Sequence, residues 1–207
     1  MELSIQKYCT LTPRNVSLNG QKLVEVDAHE SLEKSLVQTY RFLGLNYLKF
    51  FKMDNLSKLA ILATESILKD TELNEMTDKR DVAVVLVNAS SSLVADTNYQ
   101  KTINDPENYF PSPSLFVYTL PNITIGEICI KHKIYGENVF LISQKFDAQI
   151  LYFYVNELFE NTDTRHCITG WVECNETTYE AFLLLVEKGI SGNKFNIDTI
   201  DNLYKTK

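Results

Sequence analysis

The sequence predicts an α/β fold, with a mostly parallel sheet and helices on both faces. Three observations carry this expectation. DVAVVLVNA, residues 81–89, is a continuous apolar and β-branched run, the pattern of a strand covered on both sides. Residues 55–69 form an amphipathic helix, with Leu56, Leu59, Ala60, Ala63 and Ile67 on one stripe. Strand-like and helical runs then alternate along the 207 residues, as in layered α/β proteins.

Taken in order, residues 2–10 and 16–25 read as short strands broken by Pro13. Residues 28–50 read as a helix with Asp27 as a plausible N-cap. Leu32, Leu36, Tyr40 and Leu43 stand at helical spacing, and Gly44 and Asn46 interrupt it. Asp54 or Asn55 caps the next helix. After the 81–89 strand, the polar stretch from Ser90 to Ser114 holds one helix and a long loop with Pro106, Pro111 and Pro113. EICIKHKI, 127–134, reads as strand-like, and NVFLIS, 138–143, as another buried strand. Residues 145–159 form a helix apolar on nearly every side, so both its faces should be buried. HCITGWVEC, 166–174, and TTYEAFLLLVEKG, 177–189, close the sheet as a strand pair.

Composition excludes several function classes. Lys and Arg number 20 against 27 Asp and Glu, a net charge of −7, so there is no cationic excess to displace counterions from a nucleic acid. No apolar run approaches the 18 residues of a membrane span. The start, MELSIQKYCTLT, lacks the basic and apolar regions of a signal peptide, so a cytoplasmic location is the default expectation. Cys9, Cys129, Cys167 and Cys174 are widely spaced, with no CxxC, so neither a metal site nor disulfides are expected. Without a Walker or dinucleotide glycine pattern, no cofactor is expected. Ser90, Ser91 and Ser92 follow a strand but lack the glycines of a nucleophile elbow, and read as a polar loop.

The order of segments resembles the N-terminal half of the β-ketoacyl-[acyl carrier protein] synthases, which have the thiolase fold. FKMDNLSKLAILATESIL is similar to the family's K-M-D element and its alanine-rich helix. DVAVVLVNASSSL is similar to the strand and glycine-rich turn that follow. PSPSLFVYTLPNITIGEICIKHKIYGENVFLIS is the most specific match, with Leu120, Pro121, Asn122, Gly126 and Gly136 at the matching positions. HCITGWVE resembles the strand in which ketosynthases read A-x-x-G-G-x-E. The resemblance runs from about residue 40 to 187 and implies half of a thiolase-like fold. Residues 1–192 would form a ketosynthase-like domain, and 193–207 a polar tail.

The departures from the family point away from catalysis. Ketosynthases place their nucleophilic Cys between the strand matching NVFLIS and the next helix, where backbone N–H groups stabilise an anion. Here Gln144 or Lys145 falls in that slot, depending on the alignment, and neither can serve as the acyl-accepting thiolate. Gln144, the preferred alignment, resembles the chain-length-factor subunits of aromatic polyketide synthases. Ketosynthases are also about twice this length, and their catalytic histidines lie in the second half. His29, His132 and His166 match no catalytic position, so structural or surface roles are expected for all three. The family's lid insertion is replaced by a short acidic turn after WVEC.

The resemblance thus implies a non-catalytic subunit of a fatty-acid or polyketide-type pathway, aryl polyene pigments among them. It would associate with a full-length ketosynthase or with itself as a homodimer, because the 145–159 helix would otherwise expose an apolar face. Two alternatives are a malonyl-carrier-protein decarboxylase using Gln144, and a docking module for an acyl carrier protein with Lys131 and Lys133 as a local basic face.

Overall fold

The computed structural model describes residues 2–25, 30–175 and 178–206. The chain opens with an antiparallel ribbon of β1 (Leu3–Leu11), β2 (Asn15–Leu18) and β3 (Gln21–Glu25). Asn19 and Gly20 both take positive φ between β2 and β3, the two-residue hairpin turn that Asn-Gly favours.

Helix α1 (Leu32–Phe42) follows, and ends where Gly44 enters the left-handed region. The proposed cap Asp27 and His29 lie outside the described residues. Helix α2 (Asn55–Leu68) starts as expected, with the Asp54 carboxylate accepting from Ser57 N at 3.0 Å. A single turn, α3 (Glu72–Glu75), leads into β4 (Val82–Asn88), which is buried along its whole length. Its side chains alternate between two cores: Val82, Val84 and Leu86 face one, Ala83, Val85 and Val87 the other.

Helix α4 (Leu93–Lys101) and the short α5 (Pro113–Phe116) fill the polar stretch. Residues expected to be strand-like form α6 (Asn122–His132) instead. Its isoleucines are β-branched, which suggested a strand. Yet Ile125, Ile128 and His132 share a buried face at helical spacing, and this burial outweighs local propensity. Then come β5 (Asn138–Ile142), α7 (Ala148–Asn161), β6 (His166–Cys174) and β7 (Tyr179–Lys188).

Residues 193–206, read from sequence as a polar tail, form β8 (Asn193–Lys194), paired with β1, and the amphipathic helix α8 (Ile197–Lys205). Phe195 and Ile200 are buried in the second core. The polar composition is real, but its few apolar residues sit on one helical face.

The strand order is β3-β2-β1-β7-β6-β4-β5. The α/β class and the helices on both faces stand, but strand direction needs correction. Among the named strands only β4–β5 and β4–β6 pair in parallel, and the other strand pairs are antiparallel; an isolated parallel bridge joins Lys79 and Ile134. The antiparallel part comes from the opening ribbon and from the β6–β7 hairpin, whose short turn permits no crossover. Gly170 on β6 takes a φ of +153°, and a Cβ there would lie 2.0 Å from the Phe182 carbonyl oxygen. Only glycine lets β6 and β7 approach so closely.

Helices α2 and α6 cover one face of the sheet, α7 and α8 the other.

Candidate functional site

The turn from β5 into α7 holds Gln144 and Lys145, the two residues that the sequence resemblance sets in the nucleophile slot. Ser143 ends the strand by donating its backbone N–H to Asn88 O at 2.8 Å, and its hydroxyl to Lys145 O at 2.9 Å. Gln144 and Lys145 lie in the bend that follows, and both are exposed to solvent. Phe146 turns inward and stacks on Tyr204 at 3.7 Å between ring centres. Asp147 then caps α7, its carboxylate accepting from Gln149 N at 2.8 Å. One of the free N–H groups at the start of α7, that of Gln149, is therefore taken by a carboxylate whose charge meets the positive helix end.

No thiol stands near this turn in sequence. Cys9 and Cys167 are fully buried in strands, and Cys174 is nearly so. Cys129 sits on α6, partly buried, rather than on a strand. Burial pushes every thiol up: Cys129 to about 11, Cys9 and Cys174 to about 12, and Cys167 further. None is prepared as a thiolate.

Two histidines have structural partners. Buried His132 places Nε2 2.8 Å from Glu65 Oε1, which Lys131 also meets at 2.7 Å. Burial pushes the Glu65 carboxyl up, but its bonds and charge contacts with His132 and Lys131 outweigh this and hold it below the usual range. Lys131 also lies 5.1 Å over the Tyr47 ring, so it is committed to the α2–α6 contact. His166 Nδ1 is 3.2 Å from Glu187 Oε1.

The serine loop after β4 is a closed turn. The Asn88 side chain bonds both ways with the Ser91 backbone, at 2.9 and 3.0 Å. Buried Glu173 accepts from Ala89 N and Ser90 N, at 2.8 and 3.1 Å, through one oxygen, and from Cys174 N at 3.1 Å through the other. Ser92 donates to Thr119 O at 2.7 Å. A cavity of about 200 Å³ opens nearby, lined by Met53, Asp54, Ser92, Tyr118 and Cys174 among others. Gln144 and Lys145 take no part in it.

The exposed apolar surface is not where the sequence placed it. On α7 only Phe153 is a strongly exposed large apolar side chain, because α8 and Phe195 cover part of the helix. Nor is α7 buried on both faces: Ala148, Leu151, Val155 and Phe159 are buried, while Ile150, Tyr152, Tyr154 and Leu158 are half-buried. Among the described residues, ten of the fifteen exposed large apolar side chains lie instead between Leu93 and Ile142. They include Phe110, Phe116, Leu120, Tyr135 and Ile142.

In the same region, β5 is an edge strand rather than a buried one. Val84 N donates to Glu137 O, and Ser143 N to Asn88 O. The odd-numbered residues of β5 thus bond β4. The backbone groups of Asn138, Phe140 and Ile142 point outward, as the alternation of a parallel ladder requires. The uncharged apolar run reads in sequence as a buried strand, and nothing local in it marks an edge.

No family model and no curated protein matches the chain by sequence. Solved structures do match. One is the ishigamide ketosynthase/chain length factor, with a TM-score of 0.68 at 15% identity, covering 94% of this chain and 64% of that one. Another is the ketosynthase ApeO in complex with its chain length factor ApeC from Xenorhabdus doucetiae, with a TM-score of 0.59 at 14% identity, covering 92% and 81%. A third is AntDE:AntF, a type II polyketide synthase acyl-carrier protein in complex with its ketosynthase, with a TM-score of 0.59 at 12% identity, covering 90% and 62%. The chain thus spans under two thirds of the first of these. Its fold is the thiolase-like fold of ketosynthases and chain length factors.

Proposed function

We propose that the protein is a non-catalytic, chain-length-factor-like subunit that acts by associating with a ketosynthase or a second copy of itself. It would serve a fatty-acid or polyketide-type pathway in the cytoplasm. The observation that carries this reading is the pairing of two features. The turn into α7 offers no thiol and a helix end already capped by Asp147. The adjacent β5 edge is uncharged, unpaired among the described residues and flanked by exposed apolar side chains. An open edge of this kind is a template for another strand.

Among the described residues no helix is long and apolar enough to cross a membrane, so the apolar surface is not part of a membrane-spanning helix. An acyl carrier protein is a further candidate partner. With Lys131 bound to Glu65, the proposed basic face reduces to Lys133, and like-charge repulsion from the acidic chain opposes it.

The test is light scattering on the purified protein at micromolar concentration, alone and mixed with a ketosynthase from the same genome. The reading expects a dimer or a one-to-one complex, and Ile142→Pro, which removes an outward N–H, should dissolve either. A monomer that stays monomeric in the mixture would sink it.

A further inference from the structure

We propose that the aromatic cluster beneath the β5–α7 turn is a closed binding site for an apolar, ring-containing ligand with a hydrogen-bond acceptor, and that the last turn of α8 is its removable roof. The cluster joins Phe146 from the turn, Trp171 from β6, Phe182 from β7 and Tyr204 from α8. Phe146 is its hub. Its ring lies 5.8 Å from Phe182 and 6.3 Å from Trp171, edge-on to both, and stacks face to face on Tyr204.

The pointer to a ligand is Trp171. It is 4% exposed, and its indole N–H has no hydrogen-bond acceptor. Thr64 on α2 and Thr169, two residues before Trp171 on β6, also carry buried hydroxyls without a partner, while the unpartnered atoms of Glu65, Glu127, His132 and His166 each sit in an ion pair. The indole has no such compensation. A buried donor without a partner is costly, and its retention calls for an acceptor from outside the chain. The surroundings are mostly rings and aliphatic groups, with the Glu180 carboxylate at the rim beside Tyr204, so most of that ligand must be apolar.

The roof is shallow. Of the nine residues of α8 only Ile200 is fully buried. Tyr204 is half-buried, and its hydroxyl donates to Glu180 Oε1 at 2.7 Å. The other end of α8 is anchored by buried Phe195 and by the Asn196 cap on Thr199 N. Tyr204 sits in the last turn, where unwinding breaks the fewest helical bonds. A flat ring could take its place on Phe146 and present an oxygen to Trp171 Nε1. This site is independent of the subunit reading above.

Trp171 is the chain's single tryptophan, so the protein gives one indole N–H signal in a nitrogen–proton correlation spectrum. Two probes of matched size are titrated to millimolar concentration: acetophenone, which has a carbonyl, and ethylbenzene, which has none. Acetophenone should move the indole signal downfield, and ethylbenzene should bind more weakly without that shift. Tyr204→Phe keeps the ring but drops the Glu180 bond. It should raise the open population and tighten apparent acetophenone binding about fivefold. Tyr204→Ala should tighten it further, and if that variant does not fold, the phenylalanine variant carries the test. An indole signal unmoved by acetophenone in wild type and in the variants overturns the proposal. Equal binding of both probes overturns it too, since the cluster would then be apolar filling that reads no acceptor.

Discussion

The two edges of the sheet are built in opposite ways. The β3 edge is guarded: Gln21, Lys22 and Glu25 are exposed, Lys22 and Glu25 form an ion pair at 2.8 Å, and the register shifts beside it between Val16 and Ser17. Charge and irregularity are the usual means of keeping an edge strand from pairing with another chain. The β5 edge has neither. Its five residues carry no charge and its register against β4 is unbroken. Exposed apolar groups flank it, Tyr135 before it and Ile142 at its end. On the proposed function, the guarded edge is the surface meant for water and the open edge the surface meant for a partner.

The largest expected effect is on assembly. Ile142→Lys would place a cation at the open edge and should weaken association by at least about a hundredfold, read as a monomer in light scattering. The converse experiment strips the guarded edge. Lys22→Val with Glu25→Val should create concentration-dependent association that wild type lacks at that edge. If the β5 variant still dimerises and the β3 variant changes nothing, the contrast between the edges has no functional meaning.

Between the edges lies β4. Leu86→Ala, at a fully buried position, should cost about 2–5 kcal/mol in urea unfolding, without changing which edge associates. Glu173→Gln should cost less, about 1–3 kcal/mol, by weakening the charge-assisted bonds that pin the end of β4.

The smallest effect concerns α6, which packs behind β5 and is held to α2 by Glu65, His132 and Lys131. Glu65 is held below its ordinary value in the folded chain. Its contribution is therefore present above the unfolded glutamate pKa of about 4.3 and is lost as pH falls through and below it. Urea midpoints between pH 3 and 6 should show this slope, and Glu65→Gln should flatten it.

How much of this was legible in sequence depended on whether a segment's partners are local. The β4 run, the Asp54 cap and the β6–β7 pair show in sequence because burial on both faces, a cap and a short turn each leave a local pattern. Strand direction does not, because it depends on which distant strand lies alongside. For the same reason β5 looked buried: an apolar run reads alike whether the sheet or a second chain covers it. The α8 helix was missed because Phe195, Ile197, Ile200 and Tyr204 are sparse among polar residues, and their face is defined only by the core they meet. At the β5–α7 turn the residues in the slot could be named, but not the inward Phe146 or the carboxylate on the helix end.

The Asp147 cap also limits what this turn could be made to do. A cysteine introduced at Gln144 or Lys145 would not become an activated nucleophile. The new thiol would stand exposed beside a helix start that already carries the Asp147 carboxylate, and beside an aromatic ring folded into the space below. An activated thiolate would require several changes together, each of them first unsettling the stacked rings or the helix start. Such a turn works as a lock: with the cap and the ring in place, no single substitution there prepares a nucleophile.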